Sequence, residues 1–179
     1  GFTHERLADL LGWDEQRLRD QVTLLETPEE IYALCRTAEP RSAVVIDEAQ
    51  NYLRVMTKLS PDFLCWLESH RHQGQDVILI AQDYGRLTSA VLPLIETTHK
   101  FFRLWFLGLG NRYLCKVRGN PEESEVVRTF TGRYDSKTFS FYSSYSGGGV
   151  HEETRGPNIW GSPSMIVVAL FLIVGGAIF

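Results

Sequence analysis

Ala43-Val44-Val45-Ile46-Asp47-Glu48-Ala49-Gln50 decides how the rest of the chain reads. Four apolar residues, three of them β-branched, run straight into two adjacent carboxylates. The apolar run predicts a strand buried on both faces, as in the parallel sheet of an α/β protein. In such sheets ligands sit just beyond the carboxyl ends of the strands, so Asp47 and Glu48 emerge where a ligand binds. A carboxylate pair there suits nucleotide hydrolysis. The first holds Mg²⁺ through water, and the second orients or deprotonates the attacking water. The plainer alternative is a buried strand that ends in an acidic turn.

Outward from that stretch, the downstream side completes a unit. Ser60-Pro61-Asp62 is a helix start, with Phe63, Leu64 and Leu67 as the buried stripe and Cys65 and Trp66 beside it. The helix is expected to reach His72 and stop at Gly74, a normal place for a left-handed cap. Val77-Ile78-Leu79-Ile80-Ala81 is a second apolar strand, ending in Gln82-Asp83. Strand, helix, strand at this spacing predicts a parallel pair with a crossover helix. On the upstream side, Thr27-Pro28-Glu29-Glu30 caps a helix that ends before Pro40.

The flanks are less regular. Thr3 to Val22 reads as two short helices broken at Gly12. The pair has the outline of a helix-turn-helix, but His4 and three arginines face five acids, a poor balance for DNA. Arg86 to Glu96 reads as a short helix strained by Pro93. His99 to Leu107 and Arg112 to Val117 read as a hairpin on the edge of the sheet, turning at Gly108-Leu109-Gly110-Asn111. Aromatics recur from Phe130 to Tyr145, read as cover for the sheet rather than a ligand platform, or in part as membrane-interface residues, a place that suits Trp160 better. Gly147-Gly148-Gly149 and the Pro157 to Pro163 stretch read as a linker.

The bulk numbers exclude some classes. With 179 residues, 44% hydrophobic and 22% charged, the chain suits one globular domain with an appendage. A net charge of −4 gives no general pull on nucleic acid. Cys35, Cys65 and Cys115 lie far apart with no CxxC, which indicates neither zinc nor a disulfide framework and favours a reducing compartment. The sequence opens on Gly1 with no secretory signal after it. Met165 to Phe179 is uncharged and apolar. As a helix at ~1.5 Å per residue it spans roughly 22 Å against a ~30 Å hydrocarbon core, so it reads as the start of a transmembrane helix. A buried core helix is the alternative reading.

Phosphate binding in a P-loop enzyme uses G-x-x-x-x-G-K-[ST], whose backbone N–H groups and lysine cradle the phosphates. That pattern does not occur in these residues; Lys137-Thr138 follows Ser136, not glycine. The acidic pair is therefore expected to depend on a phosphate loop upstream of Gly1.

Taken together, three segments resemble the zonular occludens toxin family, which includes the gene I assembly proteins of filamentous phages. They are Val44 to Gln50 with Tyr52, His70 to Ile78 with Ala81-Gln82, and Tyr134 to Tyr145. The resemblance covers roughly Ala43 to Phe179, and more loosely the upstream helices. It implies an α/β fold of P-loop NTPase (RecA-like) type: a parallel sheet with flanking helices, an edge hairpin and a C-terminal transmembrane helix. It implies a cytoplasmic domain over 1–145, a linker over 146–163 and the start of the membrane span over 164–179. The implied work is ATP- and Mg²⁺-dependent assembly and extrusion of filamentous phage at the bacterial inner membrane. Phage coat and other assembly proteins are the implied partners, and a homo-oligomer is expected. Asp47 then matches the Mg²⁺-holding acid and Glu48 the catalytic one. Gln82 matches the polar residue at the end of the neighbouring strand, which senses the γ-phosphate or positions water. Arg71 has two readings: a finger reaching a neighbouring subunit's nucleotide, or a cation at a helix C-terminus. His70 and His72, two residues apart on a helix, diverge and make a poor metal site. Two other functions remain open, a non-enzymatic membrane-anchored assembly scaffold and a toxin-like ligand of a host receptor.

Overall fold

The computed structural model describes residues 3–135. In chain order the main elements are α1 (His4–Leu11), α2 (Glu15–Gln21), α3 (Pro28–Thr37), β1 (Ala43–Ile46), α4 (Pro61–Ser69), β2 (Asp76–Leu79), β3 (Thr98–Leu104), β4 (Leu109–Arg118) and β5 (Val126–Arg133). Residues 23–98 and 117–127 form one compact unit; the described parts of 1–22, 99–116 and 128 onward form a second.

The first of these units is α/β. Its helices begin where local chemistry satisfies their free N–H groups. The Thr27 hydroxyl accepts from Glu30 N–H, and the Glu30 carboxylate accepts from Thr27 N–H at 3.0 Å, a reciprocal box with Pro28 behind it. Ser60 caps α4 in the same way, accepting from Phe63 N–H. The last expected turn of α4 is instead a 3₁₀ turn over His70–Gln73, closed by Gly74 at φ +68°. β1 and β2 are adjacent and parallel, as expected, with Val44 opposite Val77 and Ile46 opposite Leu79. Ile31 and Leu34 of α3, Val44 and Ile46 of β1, and Phe63, Trp66 and Leu67 of α4 form one buried cluster. Leu53, Leu87 and Val91 extend it.

Three expectations need correction. The strands are covered on one face only among the described residues. Val45 on β1 is 58% exposed and Ile78 on β2 is 50% exposed, because α3 and α4 lie against the opposite face. Arg86–Glu96 is not a helix. It holds 3₁₀ turns at Tyr84–Arg86 and Leu92–Leu94, with Leu87 bridged to Arg54 between them. Leu87 and Val91 are drawn into the core while Pro93, lacking an N–H, cannot extend a helical ladder.

Third, the hairpin is not an edge of the parallel pair. β3, β4 and β5 make a separate sheet with β4 in the centre. Val126–Arg133, rich in β-branched residues, supplies the third strand and so relieves one open edge of the hairpin. Short connections make the three strands antiparallel neighbours. In the second unit, Tyr113 packs edge-on against Phe101 with ring centroids 5.4 Å apart and lies 5.1 Å from Tyr134. Gly132 leaves room for the Tyr113 ring, since a Cβ there would stand 2.2 Å from it. α1 and α2 are separated by Gly12 at φ +65°, where a side chain would be strained, and Asp14 caps α2. No described helix is long and apolar enough to cross a membrane. The expected linker and the Met165–Phe179 span lie outside the described residues, as do the aromatics beyond Asp135.

Candidate functional site

The parallel pair delivers its polar ends to one place. Past Ile46 and Leu79 the ladder continues: Ile80 N–H donates to Ile46 O at 2.9 Å and Ala49 N–H donates to Ile80 O at 2.8 Å. This lashes the acidic turn to the end of β2. Asp47 is exposed, and its Oδ1 accepts the N–H of Glu48 at 2.8 Å, fixing the carboxylate against its own turn. Glu48 has left-handed backbone angles, φ 49° and ψ 43°. For a residue with a long side chain this conformation costs about 1–2 kcal/mol. It is held by the 3₁₀ turn that follows, where Asn51 N–H donates to Glu48 O at 2.7 Å. Farther on, Leu53 N–H donates to Ala49 O and the fully buried Leu53 anchors the segment in the core.

The strained turn aims the Glu48 carboxylate at two side-chain amides. Gln82, at the end of the neighbouring strand, donates Nε2–H to Glu48 Oε1 at 3.4 Å. Gln50 donates Nε2–H to Glu48 Oε2 in a short contact. The structure therefore brings together Asp47, Glu48 and Gln82, all three singled out in the sequence, and adds Gln50. Gln50 is buried beneath the turn, and its own Oε1 has no partner among the described residues. The sequence carried one signal for it: an amide two residues after the acid.

Arg71 lies elsewhere. It sits in the 3₁₀ turn after α4, which meets the beginning of β1 through Arg41 N–H donating to Gln73 O. Its guanidinium forms a two-pronged ion pair with Glu96. Both partners are mostly exposed, so the pair adds little stability.

Chemically, the turn offers acceptor-only oxygens at a solvent-facing strand end, with amide donors fixing one of the two acids. Among the described residues no three His, Cys, Asp or Glu side chains gather to hold a metal by themselves. The donor set fits Mg²⁺ in the way that ion is usually bound, by one or two carboxylates together with waters and substrate phosphates.

The N-terminal domain of zonular occludens toxin from Neisseria meningitidis is similar in structure, at 21% identity and a TM-score of 0.47 over 73% of this chain and 70% of that one. The genome packaging NTPase of Sulfolobus turreted icosahedral virus 2 is also similar. With bound ATP-gammaS it gives 17% identity and a TM-score of 0.34 over 44% of this chain and 50% of that one. With AMP it gives 16% identity and a TM-score of 0.37 over 52% and 60%. The chain thus spans only half to three-fifths of that protein's length. A comparison with curated proteins gives no match. The family model described as "Zonular occludens toxin (Zot)" matches residues 1–149, and the chain belongs to that family.

Proposed function

We propose that the chain is the acid-bearing part of a P-loop (RecA-like) ATPase, anchored in the bacterial inner membrane, that assembles and extrudes filamentous phage. The observation that carries the nucleotide reading is the convergence of Asp47, Glu48 and Gln82 at the carboxyl end of one parallel strand pair. Asp47 would hold Mg²⁺, which would neutralise charge on the phosphates. Glu48 takes or orients the proton of the attacking water. Gln82 and Gln50 fix the two oxygens of that carboxylate, so its lone pairs keep one direction. Gln82 also senses the terminal phosphate, and Arg71, in hydrolysis, acts on the nucleotide of a neighbouring subunit in a homo-oligomer. Membrane anchoring through Met165–Phe179, a cytoplasmic location for the preceding domain, and coat and assembly proteins as partners complete the proposal on family grounds.

The test is ATP binding and hydrolysis by the natural full-length protein. Glu48→Gln keeps the shape and removes the charge, so binding stays while turnover falls ~10²-fold or more, the size of a general-base effect. Asp47→Asn weakens Mg²⁺-dependent binding itself. Wild-type turnover in Glu48→Gln overturns the catalytic assignment. Protease treatment of spheroplasts tests the topology, which digestion of residues 1–145 from the periplasmic side overturns.

A further inference from the structure

We propose that the tip of the β3–β4 hairpin is a docking surface for a bilayer carrying anionic headgroups, separate from any transmembrane span and independent of the nucleotide reading. The chain as a whole is acidic, yet from Thr97 to Pro121 it contains no Asp or Glu. Within that acid-free run the hairpin exposes large apolar groups at its turn. Trp105 is 40% exposed in the 3₁₀ turn and Leu109 is 41% exposed at the start of β4; Phe101, 56% exposed, lies farther back on β3 beside Lys100. Gly108, at φ +74°, is the residue that lets the chain reverse there.

Behind the turn stand cations. Lys100 and Arg112 are exposed, and Arg133 is exposed on β5. Lys100 and Lys116 both lie over the Phe102 ring, at 5.5 and 5.6 Å from its centroid. At roughly 3.3 Å per strand residue, Arg112 is about 10 Å behind Leu109 and Lys100 about 13 Å behind Leu104. Amphipathic elements bury their apolar side about 5–10 Å into the boundary between headgroups and acyl chains. A turn buried to that depth places Lys100 and Arg112 at the level of the headgroups. An indole at an interface with basic residues behind it is the arrangement that membrane surfaces select.

Exposed rings beside cations also suit a single-stranded nucleic acid; the aliphatic Leu109 beside the indole at the tip favours the bilayer, and the test below decides between them. The position of β5 agrees with the bilayer. Tyr134 N–H donates to Asn111 O, so the strand leading toward the apolar Met165–Phe179 stretch finishes beside the hairpin turn. Asp135 is the acid that follows Arg133 and Tyr134 in the chain.

The test uses the full 179-residue chain in phosphatidylcholine vesicles with and without phosphatidylglycerol, containing brominated acyl chains that quench buried tryptophan. An apolar C-terminal stretch can bring the protein to either vesicle, so the readout is the Trp105 component, taken as the difference between wild type and Trp105→Phe. Quenching of that component is expected only with phosphatidylglycerol, with loss in high salt. Neutralising Lys100 and Arg112 to Gln is expected to weaken it by roughly fivefold per cation. Lys58→Gln, an exposed change far along the chain, is expected to leave it unaltered. Equal quenching without phosphatidylglycerol, or no difference between wild type and Trp105→Phe, overturns the proposal. Displacement of the signal by a single-stranded oligonucleotide assigns the cations to nucleic acid and overturns it. So does a Trp105-dependent dimer with no quenching, which assigns the apolar tip to a second copy.

Discussion

Replacing Gln75 with Met should destabilise the α/β unit by about 3 kcal/mol, mostly through one orphaned N–H. Gln75 is 1% exposed and every polar atom of its side chain is used. Its Oε1 accepts the indole N–H of Trp66 at 2.9 Å, and its Nε2 donates to the carbonyls of Ala38 and Glu39 at 3.0 Å each. Three segments thereby meet at one amide: the end of α3, the middle of α4 and the residue before β2. Methionine keeps the length and removes all three bonds. The carbonyls of Ala38 and Glu39 are near the surface, so water replaces much of what they lose and each costs about 0.5–1 kcal/mol. The Trp66 N–H is different. It belongs to a residue only 4% exposed, and an unpaired buried donor costs about 1–3 kcal/mol. Equilibrium urea unfolding followed by far-ultraviolet circular dichroism measures the loss. The partner change Trp66→Phe makes the argument a cycle. It deletes the donor, so the double variant should be less damaged than the two singles added together, by about 1 kcal/mol. A loss below about 1 kcal/mol for Gln75→Met, or strict additivity in the double variant, would refute the account.

Phe63, fully buried between Tyr32 and Trp66, should cost about 3–5 kcal/mol as Phe63→Ala in the same unfolding assay, against little for the exposed Leu11→Ala. The N–H groups of Glu26 and Thr27 hold the Glu30 carboxyl below its ordinary value of 4.5. Its contribution is therefore complete above that value and fades as pH falls through the lower folded-state value. Glu30→Gln should remove that acid-side component, seen as a flatter dependence of thermal stability on pH below 4.5. Burial pushes the Cys115 thiol upward and Cys65 is exposed, so a disulfide reagent should titrate Cys65 first. Cys115 should react only after denaturant is added; rapid reaction in the native protein would mean that β4 is not packed as described.

What was legible in the sequence was whatever local chemistry decides. Thr27 and Ser60 start their helices through contacts three residues long, so no distant partner is needed to read them. The parallel pair was legible because unbroken β-branched runs flank one capped helix. The face that those strands leave open was not. An apolar side chain such as Val45 looks the same in sequence whether or not something covers it, and burial is a property of neighbours. The same reason explains the misplaced helix after Arg86. Leu87 and Val91 have helical spacing, yet they are buried as members of an irregular segment pinned by the Arg54 bridge. The third strand had a signal in Val126-Val127 and Thr129, but the aromatics around it pointed to surface cover instead.

The candidate site divides along the same line, and the division decides what each residue can do. Asp47, Glu48 and Gln82 were readable because each follows an apolar run, and parallel strands bring their carboxyl ends to one edge. The left-handed backbone of Glu48 was not readable, and Gln50 offered only an amide two residues after the acid, with nothing at the residue to show that it is buried and donates to Glu48. Arg71 was singled out for its charge, and only the topology places it. It belongs to the turn that enters β2, at the amino ends of the strands, whereas the acids leave β1 at the carboxyl end. Four strand residues at roughly 3.3 Å put about 13 Å between those edges. That separation, with Glu96 already occupying the guanidinium, sets Arg71 apart from the acids of its own chain. If the proposed homo-oligomeric ATPase uses Arg71, it does so at another subunit's nucleotide, and the Glu96 pair has to open first. The pair is exposed and inexpensive to break, so the fold does not oppose that opening.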